Sequence, residues 1–198
     1  MKSNICKIDN STKDLAAIFQ ESERVAEYNG LTHKESLQLR LICEEIDGML
    51  PNIIDEFSGE LWFDFEDGVC KVNVSIKIPE FDAEKKENLI AISNDKKNAA
   101  AVGIVGKIRN AIENFFLNGD AVSTYDPCAT FHLSTGFSDG VDYSYLWSLE
   151  QYRNLLKPEK QKEEWDELEK SVIASAADDI IVGIKGNQAD IVIVKKFA

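Results

Sequence analysis

Positive charge is in short supply in this chain: 22 lysines and arginines stand against 35 aspartates and glutamates, for a formal net charge of −13. A chain so acidic repels phosphate backbones and anionic lipid headgroups unless a local basic patch offsets the field. The lysines of 85–97 and 157–162 are interleaved with acids or amides and form no such patch, so neither a nucleic acid nor a membrane surface is the expected partner. Cysteine and histidine are also scarce. Cys6, Cys43, Cys70 and Cys128 are widely spaced, without a CxxC or a matching histidine pair, which argues against a zinc site or a disulfide framework. No apolar run follows the first lysines as in a signal peptide, and no stretch reaches the roughly 20 apolar residues of a membrane span. Reduced thiols in a cytoplasmic protein are the expectation. Repeats and low-complexity tracts are absent, and 198 residues with 44% hydrophobic content suit one domain with a sizeable core.

What is present is periodic. Residues 4–9 alternate as a short strand would. Ser11 opens a helix, with Asp14 three residues on; Leu15, Ile18, Phe19, Val25 and Ala26 form its apolar stripe and Gly30 its stop. Thr32 and Glu35 repeat the capping spacing before a second helix, whose Leu39, Ile42, Ile46, Leu50, Ile53 and Phe57 recur at steps of three and four. Glu44 and Glu45 lie opposite that apolar face. Pro51 falls inside the pattern and predicts a kink or break near Gly48–Pro51. A hairpin follows: Leu61, Phe63 and Phe65 alternate with Trp62 and Asp64, Asp67-Gly68 makes the turn, and Val72, Val74, Ile76 and Ile78 alternate after it.

Residues 98–117 read as a helix, 129–133 as a short strand, 146–156 as a helix and about 159–177 as a charged helix. A second hairpin closes the chain, with Ile180 to Lys185 and Ala189 to Lys196 around Gly186-Asn187. Gly103 and Gly106 before Lys107 lack the spacing of a P-loop and read as small residues that allow close helix packing. Cys128 and His132 lie four apart; in a strand that is about 13 Å, too far for a thiol–imidazole proton transfer. His33 belongs to an exposed first turn. The tryptophans Trp62, Trp147 and Trp165 read as core or interface residues rather than a ligand cage.

Strand, helix, helix with an acidic pair, hairpin, long middle, helix, hairpin: this order resembles the GHKL ATPase fold of histidine kinases and gyrase, in its anti-sigma-factor serine-kinase branch. Residues 5–50, with Leu-Gln-Leu-Arg-Leu-Ile-Cys-Glu-Glu-Ile at 37–46 in the place of the N-box, residues 60–78, and residues 172–197 carry the likeness. It implies a single domain over 1–198, a two-layer α+β sandwich with a mixed, mostly antiparallel sheet covered on one face by helices. A long insertion at about 95–158 stands where the family keeps its ATP lid. The resemblance also implies roles: Glu44 or Glu45 as catalytic base, Asp82 on the adenine amino group, and Asn52 as a displaced ligand of the cofactor.

The family's supporting residues are missing, however. Four residues after Glu44 and Glu45 come Gly48 and Met49, neither able to ligate magnesium through its side chain. No glycine follows Asp82 in an Asp-x-Gly, and Glu163-Glu164-Trp165-Asp166-Glu167 stands where glycines would bring amides to phosphate. The expectation is therefore a degenerate ATP site and a regulatory module that binds a protein partner, with no cofactor and no metal; an intact site would take ATP and Mg²⁺. The alternatives are a divergent ATP-dependent serine kinase or ATPase of the same fold, and an unrelated α+β interaction domain. Self-association through the insertion, giving a homodimer, is a further option.

Overall fold

The computed structural model describes residues 1–10, 15–54, 56–77, 104–109, 112, 145–156 and 171–197. Two helices near the start set the upper layer. Helix α1 (Leu15–Tyr28) ends as the sequence predicts: Gly30 adopts φ +67°, its N–H donates to the Glu27 carbonyl, and Leu31 N donates to Ala26 O at 2.9 Å. These are the paired closing bonds that a left-handed glycine permits. Helix α2 (His33–Ile53) begins at the Thr32 cap, where the threonine hydroxyl accepts from Glu35 N and the Glu35 carboxylate accepts from Thr32 N.

The break expected near Pro51 does not occur. Helix α2 runs unbroken through Pro51 to Ile53 and closes with Ile54 N on Leu50 O at 3.0 Å. Pro51 lies in the last turn, so its missing N–H removes one intrahelical bond near an end where few remain to be lost.

Strands β1 (Cys6–Asp9), β2 (Ser58–Glu66), β3 (Val69–Lys77), β4 (Tyr145–Ser148), β5 (Asp179–Lys185) and β6 (Gln188–Lys196) form one sheet in the order β1-β2-β3-β6-β5-β4. Every pairing among these strands is antiparallel, so the parallel element allowed by a mixed sheet is not found in it. The β2–β3 turn places Asp67 at φ 49° and Gly68 at φ 76°, the two positive values of a hairpin turn whose twist matches its strands.

Register explains the core. Cys6, Leu61, Val74, Ile191, Val182 and Trp147 face one another across all the strands, and Phe63, Val72, Ile193 and Ile180 form a parallel row. All are buried, and they pack under Leu39, Ile42, Ile46 and Leu50 of α2. This is the α+β sandwich, its apolar core between helices and one sheet face.

Two of the expected helices need correction. Residues 145–148 form β4 beside β5, and helix α3 (Leu149–Leu155) begins only after Ser148, whose hydroxyl caps it through Gln151 N. Likewise helix α4 (Val172–Ala176) starts afresh at a Ser171 cap, so no single helix runs through 171 to 177. Of the predicted 98–117 helix, residues 104–109 and 112 are helical, with Ile104, Ile108 and Ile112 buried at steps of four. The predicted 129–133 strand, the start of the 159–177 helix, and Cys128, His132 and Trp165 lie outside the described residues. No helix among the described residues is long and apolar enough to cross a membrane.

Candidate functional site

The acidic pair on α2 is found on the side away from the sheet. Leu37, Leu41, Glu44, Gly48 and Asn52 share one stripe of the helix, all exposed; Glu45 is half-buried at its edge. Glu44 is already engaged: its carboxylate accepts from Arg40 Nε at 3.3 Å. The same guanidinium reaches Glu23 of α1 at 3.4 Å and lies 4.4 Å from the Phe19 ring centroid. Asn52 turns its amide back along its own helix and donates to Gly48 O at 2.7 Å, while the Asn52 backbone carbonyl accepts from Arg109. Glu44 and Asn52 thus each bond a partner within α2. Asp82 lies outside the described residues. On the buried side of α2, the gap lined by Ile18, Ile46, Leu50, Phe57 and Leu61 holds about 20 Å³, the size of one water.

A larger space opens on the other side of the sheet. There the second face of β2, β3 and β6 forms a hollow of about 760 Å³ whose walls include Trp62, Asp64, Lys71, Asn73, Ser75, Gln188 and Asp190. Alternation puts them there: each lies one residue from a core position, and the register sets Trp62 beside Asn73, Asp64 beside Lys71 and Ser75 beside Asp190. The polar groups bond to one another. Asp64 Oδ2 accepts from Trp62 Nε1 and from Asn73 Nδ2, each at 3.0 Å. Asn73 Nδ2 also donates to Lys71 O at 3.2 Å. Gln188 Nε2 donates to Ser75 Oγ at 3.0 Å and to the Asp190 carboxylate at 2.9 Å. Lys2 places its ammonium 5.2 Å from the Trp62 ring centroid.

The sequence offered a signal for this hollow: polar residues at alternate positions of β3 (Lys71, Asn73, Ser75) and at the start of β6 (Gln188, Asp190), with Trp62 and Asp64 on β2. What it did not offer was the alignment of the two hairpins, which brings Ser75 and Gln188 together across 113 residues.

A third polar cluster joins α3 to β5. Asp179 accepts from Glu150 N and Ile180 N, both at 2.9 Å, and from the Ser148 hydroxyl at 3.4 Å. Burial raises its pKa above the ordinary value of 3.8, against the pull of those donors. Beside it, Arg153 donates to the carbonyls of Asp178 and Ala174, and Asp178 accepts from Lys196 N at 2.6 Å. These bonds tie two helix ends to the sheet. They serve the fold rather than a ligand.

Asp179 has a measurable consequence. A raised acid pKa in the folded state contributes stability that is fully present below the unfolded value and is lost as pH rises through the folded one. Glu21 and Glu35 act oppositely: the hydrogen bond from Asn4 to Glu21, and from Thr32 to Glu35, lowers each pKa, so their stability is lost as pH falls below 4.5. Asp179→Asn keeps one acceptor oxygen for the Glu150 and Ile180 amides and removes the titration. Urea midpoints measured from pH 7 to pH 4 should show wild type gaining on this variant as the pH falls. A constant difference would mean that Asp179 does not titrate above its unfolded value.

The thiols of Cys6, Cys43 and Cys70 are free and buried. Burial raises all three, Cys70 to about 12, so they are poor nucleophiles in the folded chain. Among the described residues, no three histidine, cysteine or carboxylate side chains gather as metal ligands. No protein-family model, curated protein or solved structure matches the chain.

Proposed function

We propose that this protein is a binding module rather than a catalyst: a GHKL-like sandwich with a degenerate nucleotide site, acting on a protein partner in the manner of an anti-sigma factor. Support for the ancestry comes from the layout, with β1 and the two hairpins side by side in one sheet beneath α2. The observation that carries the loss of catalysis is the state of α2. A metal needs converging oxygens, and Gly48 occupies the i+4 position from Glu44 while the Asn52 amide nitrogen bonds its own helix; the Glu44 carboxylate pairs with Arg40 at the surface.

An unrelated α+β interaction domain is the second reading. The antiparallel pairing of the six strands among the described residues favours it, since the GHKL resemblance implies a mixed sheet. Both readings describe a binding protein and both expect no turnover.

Thermal melting with and without Mg·ATP tests them together against an ATP-dependent kinase or ATPase. A ligand at 100 times its dissociation constant adds about 2.7 kcal/mol to stability. The expected result is an unchanged melting temperature at millimolar Mg·ATP. A stabilisation of that size, removed by Asp82→Ala or Glu45→Gln, would restore the catalytic reading.

A further inference from the structure

We propose that the exposed stripe of α2 pairs with the same stripe of a second copy of this chain, the two helices running antiparallel across a twofold axis level with residue 39. The inference stands apart from the nucleotide-site reading, since it needs only the helix and what its outer face carries.

Among the described residues six large apolar side chains stay exposed, and two of them share one face of α2 a turn apart: Leu37 is 51% exposed and Leu41 37%. Leu39, Ile42 and Ile46 already fill the core side of the helix, so these two leucines are surplus to the fold. They are flanked in a regular way. Lys34, Leu37, Leu41 and Glu44, all exposed, follow one another at steps of three, four and three. That is the spacing of a coiled-coil seam, in which apolar side chains about 3.5 residues apart face a partner helix.

Charge decides what covers the seam. Lys34 stands before the two leucines and Glu44 after them. In an antiparallel pair Leu37 meets Leu41 of the second copy and Lys34 meets its Glu44, and the twofold axis repeats each contact. A parallel pair would set Lys34 against Lys34 and Glu44 against Glu44. Glu44 already accepts from Arg40 Nε at 3.3 Å through Oε1, at a half-exposed site. The Lys34 ammonium of the second copy joins that pair rather than replacing it, because a carboxylate offers about four acceptor positions. One helix crossing over residues 34–44 is a small interface, below about 1,200 Å² in total, so the dimer is a weak one with a dissociation constant of about 10–100 µM. Two chains of net charge −13 repel one another, and at physiological ionic strength that repulsion is screened beyond about 8 Å.

The experiment is sedimentation equilibrium of the full chain near physiological salt, over about 5 to about 500 µM, where a monomer–dimer equilibrium is expected. Leu41→Asn should weaken the dimer about tenfold, since the twofold axis places that residue in the seam twice. Ile5→Asn, the same change at an exposed apolar residue just before β1, should leave it unchanged. Lys34→Glu and Glu44→Lys should each weaken it about fivefold, and the double variant, which keeps the net charge at −13, should restore it. Glu44→Lys separates the seam from diffuse charge: it makes the chain less negative, so general repulsion would fall and association would tighten. A chain that stays monomeric at every concentration would overturn the proposal. So would a dimer indifferent to Leu41→Asn, a dimer tightened by Glu44→Lys, or a double variant no tighter than the single ones.

Discussion

Gly59→Ala should destabilise the protein by about 3 kcal/mol, a large cost for one added carbon. Gly59 lies in β2 between Ile8 of β1 and Ile76 of β3, on the side facing the helices. A Cβ there would press on the Ser75 carbonyl oxygen and stand 2.8 Å from Ile76 Cγ2 and 3.0 Å from Ile76 Cα. Two of those neighbours are backbone, so relief requires β3 to move rather than a side chain to rotate. β3 pairs on its far side with β6 along its whole length, from Val69–Lys196 to Lys77–Gln188, and is poorly placed to yield. The measurement is a urea transition, with a parallel fall in melting temperature of roughly 10 °C. Gly48→Ala is the control: nothing lies within 4 Å of a Cβ at that position, and alanine is the better helix former. If both variants melted like wild type, the β2–β3 packing described here would be wrong.

Phe63→Ala should cost about 4 kcal/mol, the most expensive of the core truncations considered. Phe63 is fully buried at the centre of the row it shares with Val72, Ile193 and Ile180, on β2, the strand that links β1 to the rest of the sheet. Removing the ring forfeits its transfer free energy and leaves a cavity that strands paired on both sides close poorly. Against a total stability of roughly 5–15 kcal/mol the loss is severe. Phe63→Leu keeps most of the volume and should cost about 1.5 kcal/mol, measured in the same urea series. Trp62→Ala, one residue away on the opposite face, should cost less than Phe63→Ala, because its side is half open.

The parts legible in the sequence were those whose cause is local. Thr32 and Glu35 announce the start of α2 because a capping box needs only a spacing of three. Gly30, Asp67-Gly68 and Gly186-Asn187 announce their turns because positive φ selects glycine at those points; Gly68 and Gly186 adopt 76° and 58°. The parts misread were decided at long range. Tyr145 to Ser148 became a strand because Ile181 to Ile184 of β5 stand beside them, a pairing that no window around 146–156 contains. Pro51 did not break α2 because its position in the final turn, rather than its presence, sets the cost. Glu44 was legible as an exposed acid, but Arg40 as its partner, bridging to Glu23 and covering Phe19, depends on how α1 packs against α2. The hollow was half legible: the alternation named its residues, and the order β3-β6 assembled them.

On the proposed reading α2 supplies the upper wall of the core and no nucleotide chemistry. Backbone-amide NMR of the labelled chain tests that reading most directly. Saturating Mg·ATP should leave the amides of residues 37–53 unmoved. Shifts along α2 with Mg·ATP would contradict it.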